Sequence, residues 1–398
     1  MAEHSVIDTR EGYLSAVERI AAGEGPIAVD AERASGFKYS QRAYLIQVFR
    51  RGSGTFLFDP PAVGRFDDLN EAIHDDEWVL HAATQDLTCL REVGLDPSIV
   101  FDTELAARLL GMPRVGLGTV VEELLGIHLA KEHSAADWST RPLPEPWLTY
   151  AALDVELLPD LRDAIAALLE EAGKLEIARQ EFADELVRDL VPVRAEPWRR
   201  LSGIHSIRGL RNLAVARELW LSRDALAREL DTAPGRLVPD ASLTAAAKAM
   251  PDSKRALAAM REFTGRASRT ELDRWWAAIE AGRTTDDLPV LRGTGDSLPP
   301  PRAWADRNPD ADARLKAART ALTAVSEERA IPLENLLTPD TLRRVAWAPP
   351  AEITPQSVGE ALAAHGARPW QVDATAQVIA QAFVEGPQSA DDGSEPVS

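Results

Sequence analysis

Four carboxylates and one tyrosine have the types and spacing needed for chemistry on phosphate. Asp30 and Glu32 are two residues apart at the end of a predicted strand, so both side chains project to one face. Tyr150 and Asp154 share one face of a predicted helix, and Asp86 stands at the start of another. Mg²⁺ and Mn²⁺ prefer oxygen ligands, and two such ions roughly 4 Å apart can activate a water in phosphodiester cleavage. The set indicates a metal site, although each acid taken alone could be a helix cap or a solvated surface group.

Strands that alternate with helices would position these residues. The run 25–29 predicts a strand leading into Asp30 and Glu32, and the runs 42–49 and 54–58 predict a hairpin paired with it. A further short strand is predicted over 78–81. Helical periodicity predicts helices over 67–74, 86–93, 102–110 (with Gly111 in its C-terminal cap), 117–125 and 148–169. This succession predicts an α/β fold in which helices flank a mixed sheet.

From about residue 200 only helices are predicted. They cover 205–230, 241–250 with Asp240 as a cap, the stretch up to about Phe263, and 268–281. A polar, proline-rich stretch over 284–301 predicts a linker, and a second set of helices extends from about Asp310 to Phe383. The two sets form a degenerate repeat, because Leu-Val-Pro-Asp at 237–240 aligns with Leu-Thr-Pro-Asp at 337–340.

The composition of the 398 residues excludes several classes of protein. There is no run of about 18 apolar residues and no signal-peptide pattern, so we expect no membrane contact and a cytoplasmic location. The single cysteine, Cys89, excludes an internal disulfide and a multi-thiolate zinc site, and its apolar context favours a core position. The net charge is −19, but it is uneven: residues 1–195 carry −17 (18 Lys and Arg against 35 Asp and Glu), and residues 196–274 carry +5 (15 against 10). The basic segment is compatible with a nucleic-acid contact, or with chance clustering on solvated helices.

Read with their flanks, the acidic residues resemble the motifs of a known nuclease family. The runs IAVDAE (27–32), HAATQDL (81–87) and YAALD (150–154) resemble the three motifs of the DEDDy 3′→5′ exonucleases. Two further runs, FDTELAARLLG (101–111) and ADWSTRPL (136–143), are similar to the ribonuclease D branch of that family. The two sets of C-terminal helices resemble HRDC domains, which are helical nucleic-acid-binding modules.

The resemblance implies a ribonuclease-H-like fold and metal-dependent hydrolysis from a 3′ end, which releases nucleoside 5′-monophosphates. It assigns Asp30, Glu32, Asp86 and Asp154 to the binding of two Mg²⁺ or Mn²⁺ ions. Asp30 would serve both ions, Glu32 and Asp154 would complete one site, and Asp86 would act on the other through water. It assigns Tyr150 to orienting the attacking water, and a phenol pKa near 10 favours hydrogen bonding over the role of a free base.

The resemblance also divides the chain. It implies an exonuclease domain over 1–195, a first HRDC domain over 196–283, a linker over 284–304, an HRDC-like domain over 305–384 and a disordered tail over 385–398. We call 1–195 the N-terminal unit, 196–283 the first helical block and 305–384 the second helical block. The second helical block has few basic residues, so it would pack against the N-terminal unit instead of binding RNA.

Five basic residues could contact the RNA strand. His81 ends a predicted strand before Asp86, and Lys131 and Arg141 precede Tyr150 along the chain. Arg208 and Arg211 lie with other arginines near one side of the first helix of the first helical block. The alternative interpretations are a buried histidine with satisfied hydrogen bonds and solvated charges without a ligand.

The leading hypothesis is a monomeric exoribonuclease that trims the 3′ ends of tRNA precursors or other structured RNAs. No heptad run indicates a coiled-coil dimer. A single-stranded DNA 3′→5′ exonuclease is an alternative, because the same site chemistry serves either sugar. A non-catalytic RNA-binding scaffold is another, but it would be expected to lack one or more carboxylates, and all four are present.

Overall fold

The computed structural model describes residues 4–129, 135–188, 195–291 and 298–386. The predicted RNA contact Lys131 and residues 387–398 of the predicted tail lie outside these ranges. No helix in the described ranges has the length and apolar character needed to cross a bilayer.

A mixed six-stranded sheet forms the centre of the N-terminal unit, as predicted. Strand β3 is antiparallel to both of its neighbours, β2 and β4, whereas β1 is parallel to β4, β5 is parallel to β2 and β6 is parallel to β5. The order across the sheet is β1-β4-β3-β2-β5-β6, so β2 lies inside the sheet between β3 and β5. The strand bounds are β1 Val6–Ile7, β2 Glu24–Arg33, β3 Ala43–Arg51, β4 Gly54–Phe58, β5 Glu77–Leu80 and β6 Ile99–Asp102.

Nine helices in the described part of the N-terminal unit surround this sheet and bury its apolar side chains. Their bounds are α1 Arg10–Ala21, α2 Pro60–Val63, α3 Asp67–Ile73, α4 Leu87–Glu92, α5 Thr103–Leu109, α6 Leu117–Leu125, α7 Glu145–Glu156, α8 Leu158–Glu171 and α9 Leu175–Val187.

Two sequence predictions for this unit were wrong. The single helix expected over 148–169 is two helices that meet at Leu157, because Pro159 lacks the amide that would bond to the Val155 carbonyl. The segment Ile99–Asp102 is strand β6, whereas the sequence prediction contained only the helix that follows it. An apolar run of three residues, Ile99–Phe101, does not reveal by periodicity alone whether it is strand or helix.

The first helical block has a hydrophobic core of its own, which includes Trp198, Leu219 and Trp275. Asp240 is not the side-chain cap that the sequence predicts. Its carboxylate accepts a hydrogen bond from the Ser202 amide at 2.8 Å and pairs with the buried Arg223 at 2.7 Å. The helices are α10 Leu210–Glu229, α11 Pro234–Leu237, α12 Asp240–Ala249, α13 Lys254–Ala258, α14 Arg266–Thr270 and α15 Leu272–Thr284.

The second helical block packs against the N-terminal unit, as its low content of basic residues suggested. The apolar residues of the two parts form one continuous buried cluster. At their boundary Arg368 donates to both carboxylate oxygens of Glu181 at 2.6 and 2.5 Å, and the Trp370 indole donates to the same carboxylate at 2.7 Å. The helices are α16 Trp304–Arg307, α17 Pro309–Arg329, α18 Leu333–Leu336, α19 Pro339–Trp347, α20 Pro355–Ala364 and α21 Pro369–Glu385.

The first helical block contacts the N-terminal unit through the loop 34–42, which joins β2 to β3. The Ala233 amide donates to the Phe37 carbonyl at 3.0 Å, and Arg236 donates to the Gly36 carbonyl at 2.7 Å. The Tyr39 hydroxyl donates to the Asp224 carboxylate at 3.1 Å. Since Asp30 and Glu32 lie on β2, this loop connects the acidic strand directly to the first helical block.

Candidate active site

Strand β2 carries Asp30 and Glu32 near its C-terminal end, as predicted, and it continues one residue further, to Arg33. Asp30 lies opposite Gln47 and Glu32 opposite Leu45 on β3. The buried Gln47 amide donates to Asp30 Oδ2 at 3.4 Å. The two carboxylates are thus on one face of a strand that β3 and β5 hold from both sides.

Asp86 is positioned by a turn that Asp102 stabilises. Ala82 has a left-handed backbone (φ 64°), and the buried Asp102 carboxylate accepts hydrogen bonds from the Ala82 amide at 3.0 Å and the Ala83 amide at 2.6 Å. The same carboxylate caps α5 by accepting from the Glu104 amide at 2.8 Å. Asp86 begins α4, as predicted, but its side chain caps no backbone amide. Its buried carboxylate is therefore available for another partner.

Helix α7 carries Tyr150 and Asp154 on one face, as their spacing predicted. The helix buries Leu148, Ala151 and Ala152 in a cluster that also contains side chains of β3 and β4. The Tyr150 hydroxyl hydrogen-bonds to the Asp154 carboxylate. Because these apolar residues of α7 pack against the sheet, the face of the helix that carries Tyr150 and Asp154 is held in a fixed orientation.

All five residues line one cavity of about 550 Å³. Carboxylate oxygens of Asp30, Glu32 and Asp154 lie within 4.8 Å of one another. The remaining polar or charged residues of the lining are Arg33, Ser35, His81, Gln85 and Glu104. Three strand and helix ends, far apart in sequence, therefore meet at this cavity.

The carboxylates of the cavity resist ionisation. Burial, reinforced by the charges of Asp30, Asp154 and Asp86, raises the pKa of Glu32 to about 10. Burial and the charge of Asp30 raise the pKa of Asp154 to about 8. Removal from water likewise raises the pKa values of Asp30 and Asp86. Such a crowded set of oxygen donors is stabilised in its ionised form by a divalent cation, so the residues present fit an Mg²⁺ or Mn²⁺ site.

His81 lines the cavity, but protein groups occupy its ring. Nδ1 lies 2.9 Å from the Thr103 hydroxyl, and the ring also hydrogen-bonds to the Val115 backbone. Burial lowers the pKa of His81 to about 4, so the ring is neutral at physiological pH. These contacts favour the interpretation of a half-buried, satisfied histidine, and contact with RNA stays a prediction.

Arg141 has a role different from the one predicted. Its guanidinium donates to Asp59 at 2.6 and 3.0 Å, and to the carbonyls of Trp138, Thr140 and Tyr44 at 2.8, 2.8 and 2.7 Å. These five bonds use all five N–H donors of an arginine. The sequence showed a basic residue near Tyr150 but could not show its carboxylate partner, 82 residues away. Arg141 therefore holds the segment before α7, and it has no donor left for RNA.

Most of the arginines that were predicted to lie near one side of α10 form contacts within the protein. Arg217 pairs with Asp287 at 3.0 Å, and the buried Arg223 pairs with Asp240. Arg211 is half-buried and donates to the Thr285 carbonyl. Arg208 is exposed, and one bond to the His205 carbonyl leaves most of its donors available. Of the two RNA contacts predicted on this block, Arg208 is thus the better supported.

Two residues of the site were missed in the sequence. Asp102 could have been recognised, because an aspartate that precedes Thr-Glu-Leu at a helix start is typical of an N-terminal cap. Arg33 had no such signal, because strand alternation places it on the face opposite Glu32.

The chain matches three families of domains. Residues 5–170 match the family described as 3′–5′ exonuclease, and residues 212–279 match the HRDC domain. Residues 297–383 match the family described as 3′ to 5′ exonuclease C-terminal domain. The HRDC-like assignment of the second helical block stays a prediction.

Curated proteins and solved structures resemble the chain over most of its length. Ribonuclease D of Granulibacter bethesdensis is 31% identical over 280 residues, which are 67% of this chain and 67% of that protein. A crystal structure of a protein from Bifidobacterium adolescentis is 36% identical, with a TM-score of 0.87, over 96% of this chain and 97% of that one. The crystal structure of Escherichia coli ribonuclease D, described as an exoribonuclease involved in structured RNA processing, is 27% identical, with a TM-score of 0.69, over 91% and 98%.

The mixed sheet, the acidic cavity and the exonuclease match together define the class of the protein, a 3′→5′ exonuclease. The curated relatives narrow this class. The chain belongs to the ribonuclease D family and is a 3′→5′ exoribonuclease.

Proposed function

We propose that this exoribonuclease trims the 3′ ends of tRNA precursors or other structured RNAs, one nucleoside 5′-monophosphate at a time, as a monomer. The observation that carries the proposal is the single cavity in which Asp30, Glu32, Asp86, Asp154 and Tyr150 meet. The processing of structured RNA by the Escherichia coli relative supports the choice of substrate.

The carboxylates would hold two Mg²⁺ or Mn²⁺ ions. Asp30, Glu32 and Asp154 are close enough for one cation to bind all three, and Asp86 with Asp30 would serve the second. When bound, a pair of such ions lowers the pKa of the attacking water and stabilises the leaving oxygen. Asp102 contributes indirectly, because it fixes the turn that directs Asp86 into the cavity.

Tyr150 would orient the attacking water by accepting a hydrogen bond from it. Burial and the neighbouring carboxylates raise the pKa of Tyr150, so the phenol remains protonated at working pH. Its single proton is directed to Asp154. The oxygen lone pairs then remain to accept from water, and Tyr150 acts as a positioning group instead of a base.

The first helical block would hold the body of the RNA while its 3′ tail enters the cavity. Arg208 is exposed, and the loop 34–42 joins this block to the acidic strand. The loop contacts lie near the C-terminal end of α10, at Asp224, Ala233 and Arg236, whereas Arg208 precedes the N-terminal end of this helix, about 30 Å away. Arginine binds phosphate through delocalised charge and several donors.

The test compares a 3′-extended tRNA with a DNA strand of the same 3′ sequence, each with Mg²⁺, Mn²⁺ or EDTA. We expect stepwise release of 5′-monophosphates from RNA, which Asp30→Asn abolishes and EDTA suppresses. Asp75→Asn, at an exposed acid remote from the cavity, is the matched control. Light scattering reports the oligomeric state.

Each alternative function predicts a different result. A preference for DNA would favour a DNA exonuclease. Binding of RNA without release of nucleotide under any metal would favour a scaffold and would contradict the proposed function.

A further inference from the structure

Arg33, at the edge of the acidic cluster, is a cation whose side chain has no partner within the part of the chain that the structure describes. It follows Glu32 on β2, is half-buried and lines the cavity. Among the described residues its guanidinium forms no hydrogen bond or ion pair. Every other buried or half-buried arginine of the described N-terminal unit pairs with a carboxylate: Arg50 with Asp76, Arg51 with Asp160, Arg91 with Asp96, Arg108 with Glu104 and Arg162 with Glu77.

A strand irregularity lies beside Arg33, which lines the cavity from the last position of β2. In a regular strand, Arg33 would point away from the face that carries Asp30 and Glu32. The pairing with β3 shifts between Glu32, which lies opposite Leu45, and Arg33, which lies opposite Ala43. The extra residue, Tyr44, is on β3, and bulges of this kind, which end regular pairing, are frequent beside active sites.

The segment after Arg33 restrains its position. The carbonyl of Ala34, which is buried, accepts hydrogen bonds from the amides of Phe37 and Lys38 at 3.0 and 2.9 Å, and the loop then contacts the first helical block. Arg33 therefore lies between a sheet strand and a docked loop. A side chain held by such a backbone binds a ligand with less loss of conformational freedom.

The positive charge of Arg33 affects the pKa values of three of the four acids, although its side chain forms no ion pair with any of them. It lowers the pKa values of Asp30, Glu32 and Asp86, which burial and mutual repulsion raise. A guanidinium that served only as their counter-ion would be expected to form a bidentate pair with a carboxylate. A group that influences all three acids lies beside the place where the phosphate to be cleaved must bind.

We propose that Arg33 binds a non-bridging oxygen of the scissile phosphate, and this role rests on the proposed function. The guanidinium offers two or more donors to a phosphate, and the carboxylates nearby leave these donors free. Arg33 would thus anchor the terminal linkage of RNA independently of the metal ligands.

The first test measures RNA binding in EDTA, so that it does not depend on turnover. Binding of a short 3′ strand is followed by fluorescence anisotropy over a series of salt concentrations, for wild type, Arg33→Gln and Arg33→Lys. We expect Arg33→Gln to weaken binding and to reduce the slope of log K against log salt by about 0.7, which is one phosphate contact on a single strand. Arg33→Lys should retain the slope.

The second test uses a substrate with one linkage, the p-nitrophenyl ester of uridine 5′-monophosphate, beside RNA. Arg33→Gln should lower kcat/KM about 10- to 100-fold on both substrates, as expected for one hydrogen-bonded charge. A loss on RNA alone would assign the contact to another phosphate and overturn the proposal. Arg179→Gln, at an exposed arginine of α9, is the control for the change of charge.

Two results separate this role from its alternatives. If Arg33→Gln shifts the pH profile but leaves the salt slope and affinity unchanged, Arg33 only adjusts the carboxylates, and the proposal is wrong. If wild type binds RNA but releases no nucleotide, the proposed function fails, while the salt slope still reports on Arg33. Circular dichroism verifies that each variant is folded.

Discussion

The Ser40 amide donates a hydrogen bond to Asp231 Oδ1 at 2.9 Å, across the boundary between the N-terminal unit and the first helical block. The Tyr44 hydroxyl donates to the other oxygen of the same carboxylate at 3.3 Å. Both donors belong to the connection that leaves the acidic strand and returns along β3. The first helical block therefore has a structural contact with the active site, in addition to any contact it makes with RNA.

We predict that Asp231→Ala lowers exonuclease activity, although Asp231 lies outside the cavity. Loss of the acceptor frees the loop 34–42 and, with it, the end of β2 that carries Glu32. We expect kcat/KM to fall several-fold and the free energy of unfolding to fall by about 1–3 kcal/mol, since two donors lose their partner. Both quantities are measured on the full chain.

Asp231→Asn is the control for this prediction. Asp231 has a left-handed backbone (φ 43°), which asparagine also tolerates, and the amide oxygen still accepts one bond. We expect activity close to wild type. If Asp231→Ala is as active as Asp231→Asn, the loop contact does not support the site.

Metal binding should strengthen as the pH rises. The pKa of Asp154 is raised to about 8 and that of Glu32 to about 10, so the metal-free cluster retains protons that a cation must displace. We expect Mn²⁺ affinity to increase from pH 6 to above pH 8, with protons released on binding. Calorimetry in buffers of different ionisation enthalpy measures both. An affinity that does not change over this range would contradict the raised pKa values.

The metal-free protein should be stabilised by Asp30→Asn. A carboxyl whose pKa is higher in the folded state binds more protons folded than unfolded, so stability falls as the pH rises from about 4 through the folded pKa. The pKa values of Asp154 and Glu32 extend this window to about pH 8 and about pH 10, respectively. Removing the Asp30 charge reduces the repulsion among the remaining carboxylates, and a gain on the order of 1 kcal/mol corresponds to about 1–2 °C in Tm for a protein of this size.

Bound metal should stabilise the wild type more than Asp30→Asn, which is the reverse of the order expected without metal. Mn²⁺ should raise the Tm of wild type and of Asp75→Asn but much less that of Asp30→Asn, because the variant lacks the acid shared by both proposed sites. Thermal melts at pH 8 with EDTA or Mn²⁺ measure this. If Mn²⁺ raised the Tm of wild type and of Asp30→Asn equally, Asp30 would not be a metal ligand.

The site was more predictable from the sequence than the contacts around it. Asp30 and Glu32 in a strand, and Tyr150 and Asp154 in a helix, are local patterns whose period fixes the face on which each pair lies. The partners of Arg141 and Arg217 are 82 and 70 residues away, so no local pattern reveals them. Charged residues near a motif are therefore weak predictors of ligand contacts.

Tyr150→Phe should lower kcat more than it lowers metal affinity, because the hydroxyl also donates to Asp154. The phenol is predicted to accept a hydrogen bond from the attacking water, and a bond of this kind to a developing charge contributes about 10- to 100-fold. Because the pKa of Tyr150 is raised, the wild-type rate should show no step due to tyrosine between pH 7 and 10. Single-turnover rates over this range are the measurement. A step that Tyr150→Phe removes would make Tyr150 a base.

Arg141→Met should destabilise the fold more than it affects RNA binding. The change leaves the buried carboxylate of Asp59 without its partly exposed cation, and a buried acceptor left without its partner costs about 1–3 kcal/mol. Arg208→Met, at an exposed arginine, should have the reverse effect: weaker RNA binding with little change in stability. Urea unfolding and RNA binding in EDTA are compared for both variants at a temperature where each is folded. A stable Arg141→Met protein with weakened RNA binding would restore Arg141 as an RNA contact.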